Sequence, residues 1–422
     1  MGNERVSRPK SGDRVSVNVD ALTASGEGLS GRMRIAGAFP GERVAARVEH
    51  VGKHASFASL VEVERARSGR REPPCAQHAD AGGRCTGCAL MALDAGEQRE
   101  VLREMLRREH GLEVDEVVAA PQALGYRWSA KRVAFGGPGN LRLGSFIRGT
   151  NRPADMEGCL VDHPLIAEAA DEIAEAAREL EIGAHHSMRQ QGGLRAVWLR
   201  TNGTQVLATL VSSDDHKGML RALADRMSRC DGVAYSLHRG EGNALRGDEA
   251  VHLRGIESLA LRGNEVGPLG FMQPNPEVAE QMYDALVEGI SGARVLDLYA
   301  GSGATTRRLR AMADEVVPCE SHAEGAQALG VEPETVEAFL ERQTATADAV
   351  VANPPRKGLG GKVCAELLRL GPAEIRIMAC GPAGLAQDLK ALEEGYVLQS
   401  LLAYDTLPQT PHVELIAKLV RR

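Results

Sequence analysis

Two side chains near the C-terminal end of this chain could act together on a substrate: the thiol of Cys380 and the carboxylate of Glu414. A thiolate adds to electron-poor double bonds, and a nearby carboxylate can then remove a proton. Cys380 closes the apolar run Glu374–Ala379, and Gly381-Pro382 after it starts a helix whose dipole favours thiolate. Glu414 stands just before the last apolar run, Leu415–Val420, beside His412. Earlier, the apolar strand Val295–Tyr299 enters a turn through Gly301 and Gly303, which brings backbone N–H groups close to a nucleotide-like ligand. Glu320 follows the next strand, Glu315–Cys319, where an acid can accept both hydroxyls of a ribose. Phe271–Asn275 (FMQPN) precedes this group, and the strand Asp348–Ala352 ends in the rigid Asn353-Pro354-Pro355.

A glycine turn alone is weak evidence for any ligand. A nicotinamide dinucleotide is disfavoured here, because the third glycine of that fingerprint and a second mononucleotide half are both absent. All five signals in this order read as methyl transfer from S-adenosylmethionine (SAM) to a pyrimidine base. Carbon 5 of uracil is a poor nucleophile. A thiolate added at carbon 6 makes the ring an enolate that carbon 5 can use, and a base then removes the carbon 5 proton.

A second constellation comes earlier. Cys75, Cys85 and Cys88 form C-x9-C-x2-C, and Cys159 lies 71 residues beyond. Four thiolates suit a structural zinc ion or an iron–sulfur cluster, and spacing does not separate the two. Cys230, Cys319 and Cys364 lie in apolar or helical surroundings and read as core residues.

The elements that must position these groups are legible in the periodicity. Residues 11–63 alternate apolar and polar with turns at Gly26 to Gly28 and Pro40-Gly41, which predicts a small β-barrel. An Arg-rich linker comes next (Arg65, Arg67, Arg70, Arg71), then an amphipathic helix over Asp94–Leu112. Strands at Arg132–Phe135, Leu194–Thr201 and Gln205–Val211 mix with helices at Ile166–Leu180 and His216–Ser228. From Pro276 helices and strands alternate, the rhythm of a doubly wound parallel sheet, with a helix at Thr305–Ala313. The expected domains are 1–68, 69–270 and 271–422, with helix 94–112 free to pack on the last.

Composition narrows the class. Fifty Lys+Arg against 57 Asp+Glu leave a net charge of −7, so any nucleic acid is held by a local basic surface, with Arg127, Lys131 and Arg132 as further candidates. Aromatics at 3% leave little for broad base-stacking platforms. The charged first residues and the lack of a long apolar run predict a cytoplasmic protein with no membrane partner.

Over nearly its whole length the chain resembles the RNA 5-methyluridine methyltransferase family, closest to its 23S ribosomal RNA branch. Glu27-Gly-Leu-Ser and Phe39-Pro-Gly-Glu-Arg43 are similar to the family's TRAM domain, an OB-like RNA-binding barrel. Tyr126-Arg127 and Leu143-Gly-Ser-Phe146 resemble its α+β central domain. The resemblance implies a Rossmann-like catalytic domain and a [4Fe–4S] cluster on Cys75, Cys85, Cys88 and Cys159. It also implies contacts from Gln273, Tyr299, Glu320 and Asn353 to SAM or the flipped uracil, Cys380 as nucleophile and Glu414 as base. The expected partner is RNA, with 23S ribosomal RNA as the expected target, and the expected state is a monomer.

The chain departs from the family at several points. Asn353 stands where an Asp is usual, and the amide loses a charge while gaining donors. Gly381 replaces an Asn, the cysteine loop is long, and Ser321–Thr346 has no Asn-Ala-x-x-Asn helix. These motivate an alternative: a catalytically impaired or divergent RNA-binding paralogue. A third reading, an amine methyltransferase suggested by Asn-Pro-Pro, would not need Cys380.

Overall fold

The computed structural model describes residues 9–185, 193–240, 245–290 and 292–422, so the charged start of the chain, 1–8, lies outside it. The first unit is a six-stranded sheet. Its strands run in the order Arg14–Asn18, Arg43–Val51, Ser56–Arg65, Met33–Ala36, Gly28–Ser30 and Ala21–Leu22. Register shifts at three places between the two long central strands bend them, as bulges do. The bend closes the sheet over Val19, Ile35, Val44, Ala46 and Val48.

The Arg-rich linker is a staple. Arg67 pairs with Glu97 and donates to the carbonyl of Pro40 at 3.0 Å. Arg70 pairs at 2.7 Å with the fully buried Glu42 and lies over the Phe39 ring. Arg71 donates to the Met91 carbonyl. Three of the four candidate RNA-contacting arginines are thus occupied within the protein, and only Arg65 stays exposed with no such partner among the described residues.

The second unit is a seven-stranded sheet, from Pro153–Asp155 at one edge through Ser129–Phe135 and Leu194–Thr201 to Ala250–Gly255 at the other. It is antiparallel except where Val206–Ser212 runs parallel to Gly232–Leu237. Helices Pro164–Glu179 and Lys217–Arg226 share its apolar core. The first owes its close packing to alanines at 169, 170, 174, 176 and 177 on its buried face.

The third unit is also a seven-stranded sheet, ordered Ala313–Cys319, Gly292–Leu298, Ala349–Ala352, Glu374–Ala379, Glu414–Arg421, Tyr396–Tyr404 and Glu116–Val118. The first four strands are parallel, joined by helices that run back across the sheet, and Glu414–Arg421 is antiparallel to both neighbours. Glu116–Val118 arrives from far upstream. The helix before it, Ala95–His110, buries Val101, Leu102, Met105 and Leu106 in the same core. Asp94 caps that helix at the start and Gly111, left-handed, at the end.

The helix expected over Thr305–Ala313 spans only Ala304–Leu309, because Ala313 is already paired with Gly292 in the sheet. The segment after Glu320 forms two short helices, Ala323–Leu329 and Val336–Glu341, the second anchored by Val336, Phe339 and Leu340.

Candidate active site

The ends of five adjacent strands bring the sequence-predicted groups together at one end of the third sheet. Asp297, 2% exposed, accepts a hydrogen bond from the Thr306 hydroxyl at 2.5 Å, and burial pushes its carboxyl up to about 7. Tyr299 then takes a positive φ of 58°, costly for a tyrosine, and the chain turns through Gly301 and Gly303. Gly301 must also adopt φ 55°, and space beyond its α-carbon is open for 4 Å. Its N–H donates to Glu320 at 2.8 Å, and the N–H of His322 donates to the other oxygen at 2.6 Å. Glu320 is therefore fixed across the strand tips beside the open glycine turn. That is a suitable cradle for a nucleoside with free hydroxyls.

Asn353 follows the neighbouring strand, and its N–H donates to the Leu298 carbonyl at 3.2 Å. Gln273 lies on the loop before helix Pro276–Val287, near Tyr283, whose hydroxyl burial raises, Gln273 lowers and the charge of Glu414 raises further. The loop is pinned where it enters the helix. Trp128 N–H donates to the Pro274 carbonyl, and the Asn275 side chain caps the helix and reaches the Thr406 carbonyl.

Cys380 and Glu414 meet through strand register. Ala379 pairs with Leu415 in an antiparallel ladder, which sets the next residue outward on each strand, Cys380 and Glu414, side by side. Cys380 is exposed and Glu414 half-buried. Burial and then the Glu414 charge push the thiol up, while Arg356 acts in the opposite sense. Against the expectation that the helix start would favour thiolate, the thiol lies above its ordinary value, through desolvation first and then the facing carboxylate. Burial raises Glu414 as well, again opposed by Arg356. Desolvation and the charges of Arg356, Arg148 and Arg127 hold His412 below its usual range.

Arg356 was legible in Asn-Pro-Pro-Arg but had no role from sequence. Its loop is locked to the helix after Cys380. Asp388 on that helix accepts from Leu359 N–H at 2.8 Å and Gly360 N–H at 3.1 Å. A β-carbon on Gly381 would fall 2.1 Å from the Arg356 carbonyl oxygen. The glycine that replaces the family's asparagine is thus required by this close approach.

The loop carrying Glu414 is held from the other side. Gln409, buried at φ 74°, exchanges hydrogen bonds with Gln98 of helix Ala95–His110, and Tyr126 donates to the Pro408 carbonyl at 2.9 Å. Sequence periodicity could not reveal these contacts, because their partners are hundreds of residues apart.

The four cysteines gather elsewhere, at the junction with the central unit. Cys88 lies within the electrostatic reach of Cys159, Cys85 and Cys75. Cys159 packs with Met91, Tyr126 and Val161, and Cys75 and Cys88 border that cluster. Arg132, which pairs with the buried Asp162, and Arg127 face the same thiols, so neither is a free RNA contact. The Nε atoms of both arginines have no hydrogen-bond partner among the described residues. No group of three or more His, Cys, Asp or Glu among those residues is close enough for a single metal ion. Nor is any described helix long and apolar enough to cross a membrane.

No family model matches the sequence. An uncharacterized RNA methyltransferase of Geobacter sulfurreducens is 30% identical over 455 aligned positions, covering 98% of this chain and 91% of that protein. One from Gloeobacter violaceus is 31% identical, covering 97% of each. Among solved structures, the Pyrococcus abyssi tRNA (uracil-54, C5)-methyltransferase in complex with S-adenosyl-L-homocysteine aligns with a TM-score of 0.77 and 25% identity. That alignment covers 96% of this chain and 100% of that one. Sequence and fold match nearly from end to end, and the chain belongs to a family of SAM-dependent RNA methyltransferases, with the fold of the tRNA (uracil-54, C5)-methyltransferase.

Proposed function

We propose that this protein methylates carbon 5 of a uridine in RNA through a covalent adduct at Cys380. The observation that carries the reading is the register that sets Cys380 beside Glu414, with Arg356 next to both. Cys380 adds as thiolate to carbon 6 of the flipped uracil, and the electron pair moves onto the ring to make carbon 5 nucleophilic. SAM, when bound, supplies the electrophilic methyl group. Glu414 then takes the proton from carbon 5, the ring electrons return, and the bond to Cys380 breaks. Arg356 opposes the build-up of negative charge around the thiol and the carboxylate.

The residues at the glycine turn fit SAM. Gly301 leaves room, Gly303 turns the chain into its helix, and Glu320 meets the ribose. Tyr299, Asn353 and Gln273 contact the cofactor or the uracil. The N-terminal sheet is assigned as an OB-like TRAM barrel that binds RNA, and the enzyme acts as a monomer on 23S ribosomal RNA. The ribosomal assignment rests on the four cysteines, which suit a [4Fe–4S] cluster. Four soft thiolates at one junction, with the cationic Arg127 and Arg132 beside them, have the donor chemistry that such a cluster needs.

The test is a denaturing gel of Glu414→Gln with substrate RNA and SAM. The variant stalls after methyl transfer and gives a slow-migrating protein–RNA band, which is absent from the Cys380→Ala/Glu414→Gln double variant. An active wild type whose Glu414→Gln variant gives no such band would sink both assignments. Mass-spectrometric mapping of methyluridine in ribosomal and transfer RNA, from cells with and without the protein, identifies the target.

A further inference from the structure

A cluster of three cations at the central sheet has no counter-charge among the described residues. Trp198 and Lys131 are cross-strand partners, and Arg200 comes two residues after Trp198 on the same face. The Lys131 ammonium lies 4.1 Å from the centroid of the Trp198 rings, and the Arg200 guanidinium carbon 3.6 Å from it. Arg246 approaches from the segment that crosses this face and donates to the Leu269 carbonyl at 3.3 Å.

Arg200 is fully buried. It gives one hydrogen bond to the Pro268 carbonyl at 2.9 Å, while its Nε and second terminal nitrogen have no partner among the described residues. Burial and then Arg246 push Arg200 down to about 9, and burial, Arg200 and Arg246 push Lys131 down. Among the described residues no carboxylate acts on either, and none of the three forms an ion pair. In a chain with seven excess negative charges, three mutually repelling cations around one indole are costly unless an anion joins them.

We infer that Lys131 and Arg246, both exposed, form the rim of a phosphate subsite whose buried floor is Arg200 over Trp198. Its occupant is a backbone phosphate of the RNA substrate. Continuity with the active site identifies the source. Arg200 and Arg246 hold the carbonyls of Pro268 and Leu269, and the same segment then presents Phe271, 77% exposed, and Gln273. Strand Ser129–Phe135, which carries Lys131, begins next to Trp128, whose N–H holds Pro274. RNA entering the site beside Gln273 therefore passes this cluster. The inference rests on the RNA reading above; of the cations expected from sequence it keeps Lys131, and it adds Arg200 and Arg246.

The experiment compares wild type with Lys131→Gln/Arg246→Gln, two exposed positions whose change should spare folding. RNA affinity is measured across a salt series, and S-adenosylhomocysteine binding checks that the variant is folded. The expected result is a roughly tenfold loss of RNA affinity at low salt, a log–log salt slope smaller by about 1, and unchanged S-adenosylhomocysteine binding. An unchanged slope and affinity would overturn the subsite. A second arm uses inorganic phosphate against chloride at equal ionic strength. Thermal stabilisation by phosphate that the variant loses, with an unchanged RNA slope, would assign the site to free phosphate and overturn the RNA source. These readouts concern binding alone, so a failure of the methylation mechanism, seen as no adduct at Cys380, remains separately visible.

Discussion

At the scale of single residues, the candidate site is governed by how charges and burial oppose one another around Cys380. The thiol lies above its ordinary value, so the reactive thiolate is scarce at neutral pH in the unliganded protein, and Arg356 limits the rise. Alkylation of Cys380 by iodoacetamide should therefore increase with pH to a midpoint above that of an ordinary cysteine. Arg356→Gln should move the midpoint higher still, and Glu414→Gln should move it lower. Mass spectrometry of the labelled peptide reads all three, and a midpoint unaffected by Arg356→Gln would remove that residue from the account. A second titration concerns stability. Burial raises both Asp297 and Asp405 to about 7, so the folded state holds these protons more tightly than the unfolded chain does. The contribution is full below about pH 4 and is lost as pH rises through about 7, by up to about 4 kcal/mol for each group. Asp405, with one oxygen unpartnered among the described residues, is the cleaner probe. Asp405→Asn should flatten the fall in Tm between about pH 4 and about pH 7, measured by calorimetry; an unaltered pH profile would contradict the raised value.

At the scale of elements, the site depends on loops tied to helices that carry no catalytic group. Asp388 holds the Asn-Pro-Pro-Arg loop through two backbone N–H groups, and Gln98 holds the loop before Glu414. Removing either acceptor leaves buried N–H groups unpaired, at a cost of about 1–3 kcal/mol. Asp388→Ala should also release Arg356 and so lower kcat by roughly tenfold or more, on the scale of misplacement effects. Its effect on KM for SAM should be small. The comparison is steady-state methylation with thermal unfolding of the same preparation. A variant that loses stability but keeps kcat would show that the loop needs no such anchor.

At the scale of the whole molecule, the cysteine set draws together segments on either side of the helix Ala95–His110, which is itself part of the catalytic core. Cys75, Cys85 and Cys88 precede that helix and Cys159 comes after it. A cluster there would stabilise the junction by linking distant parts of the chain, so its binding free energy becomes folding free energy. Protein purified without oxygen should be brown, absorb near ~400 nm and carry about four irons per chain. Cys159→Ser should lose the colour and lower Tm. Stoichiometric zinc without iron would overturn the cluster assignment.

The sequence by itself determined the order and type of the elements that carry the chemistry, because strand-then-turn patterns such as Val295–Gly303 and Glu374–Gly381 are local. It also supplied the pairing of a thiol with a carboxylate as chemistry, though not as geometry. Only the tertiary structure decided that Cys380 and Glu414 are neighbours, since strand register is a long-range choice. It reassigned Arg67, Arg70, Arg127 and Arg132 to internal partners, which spacing along a chain cannot foresee. It also raised the Cys380 thiol, because desolvation and a facing carboxylate depend on which groups lie opposite in space and not on the next residues along the chain.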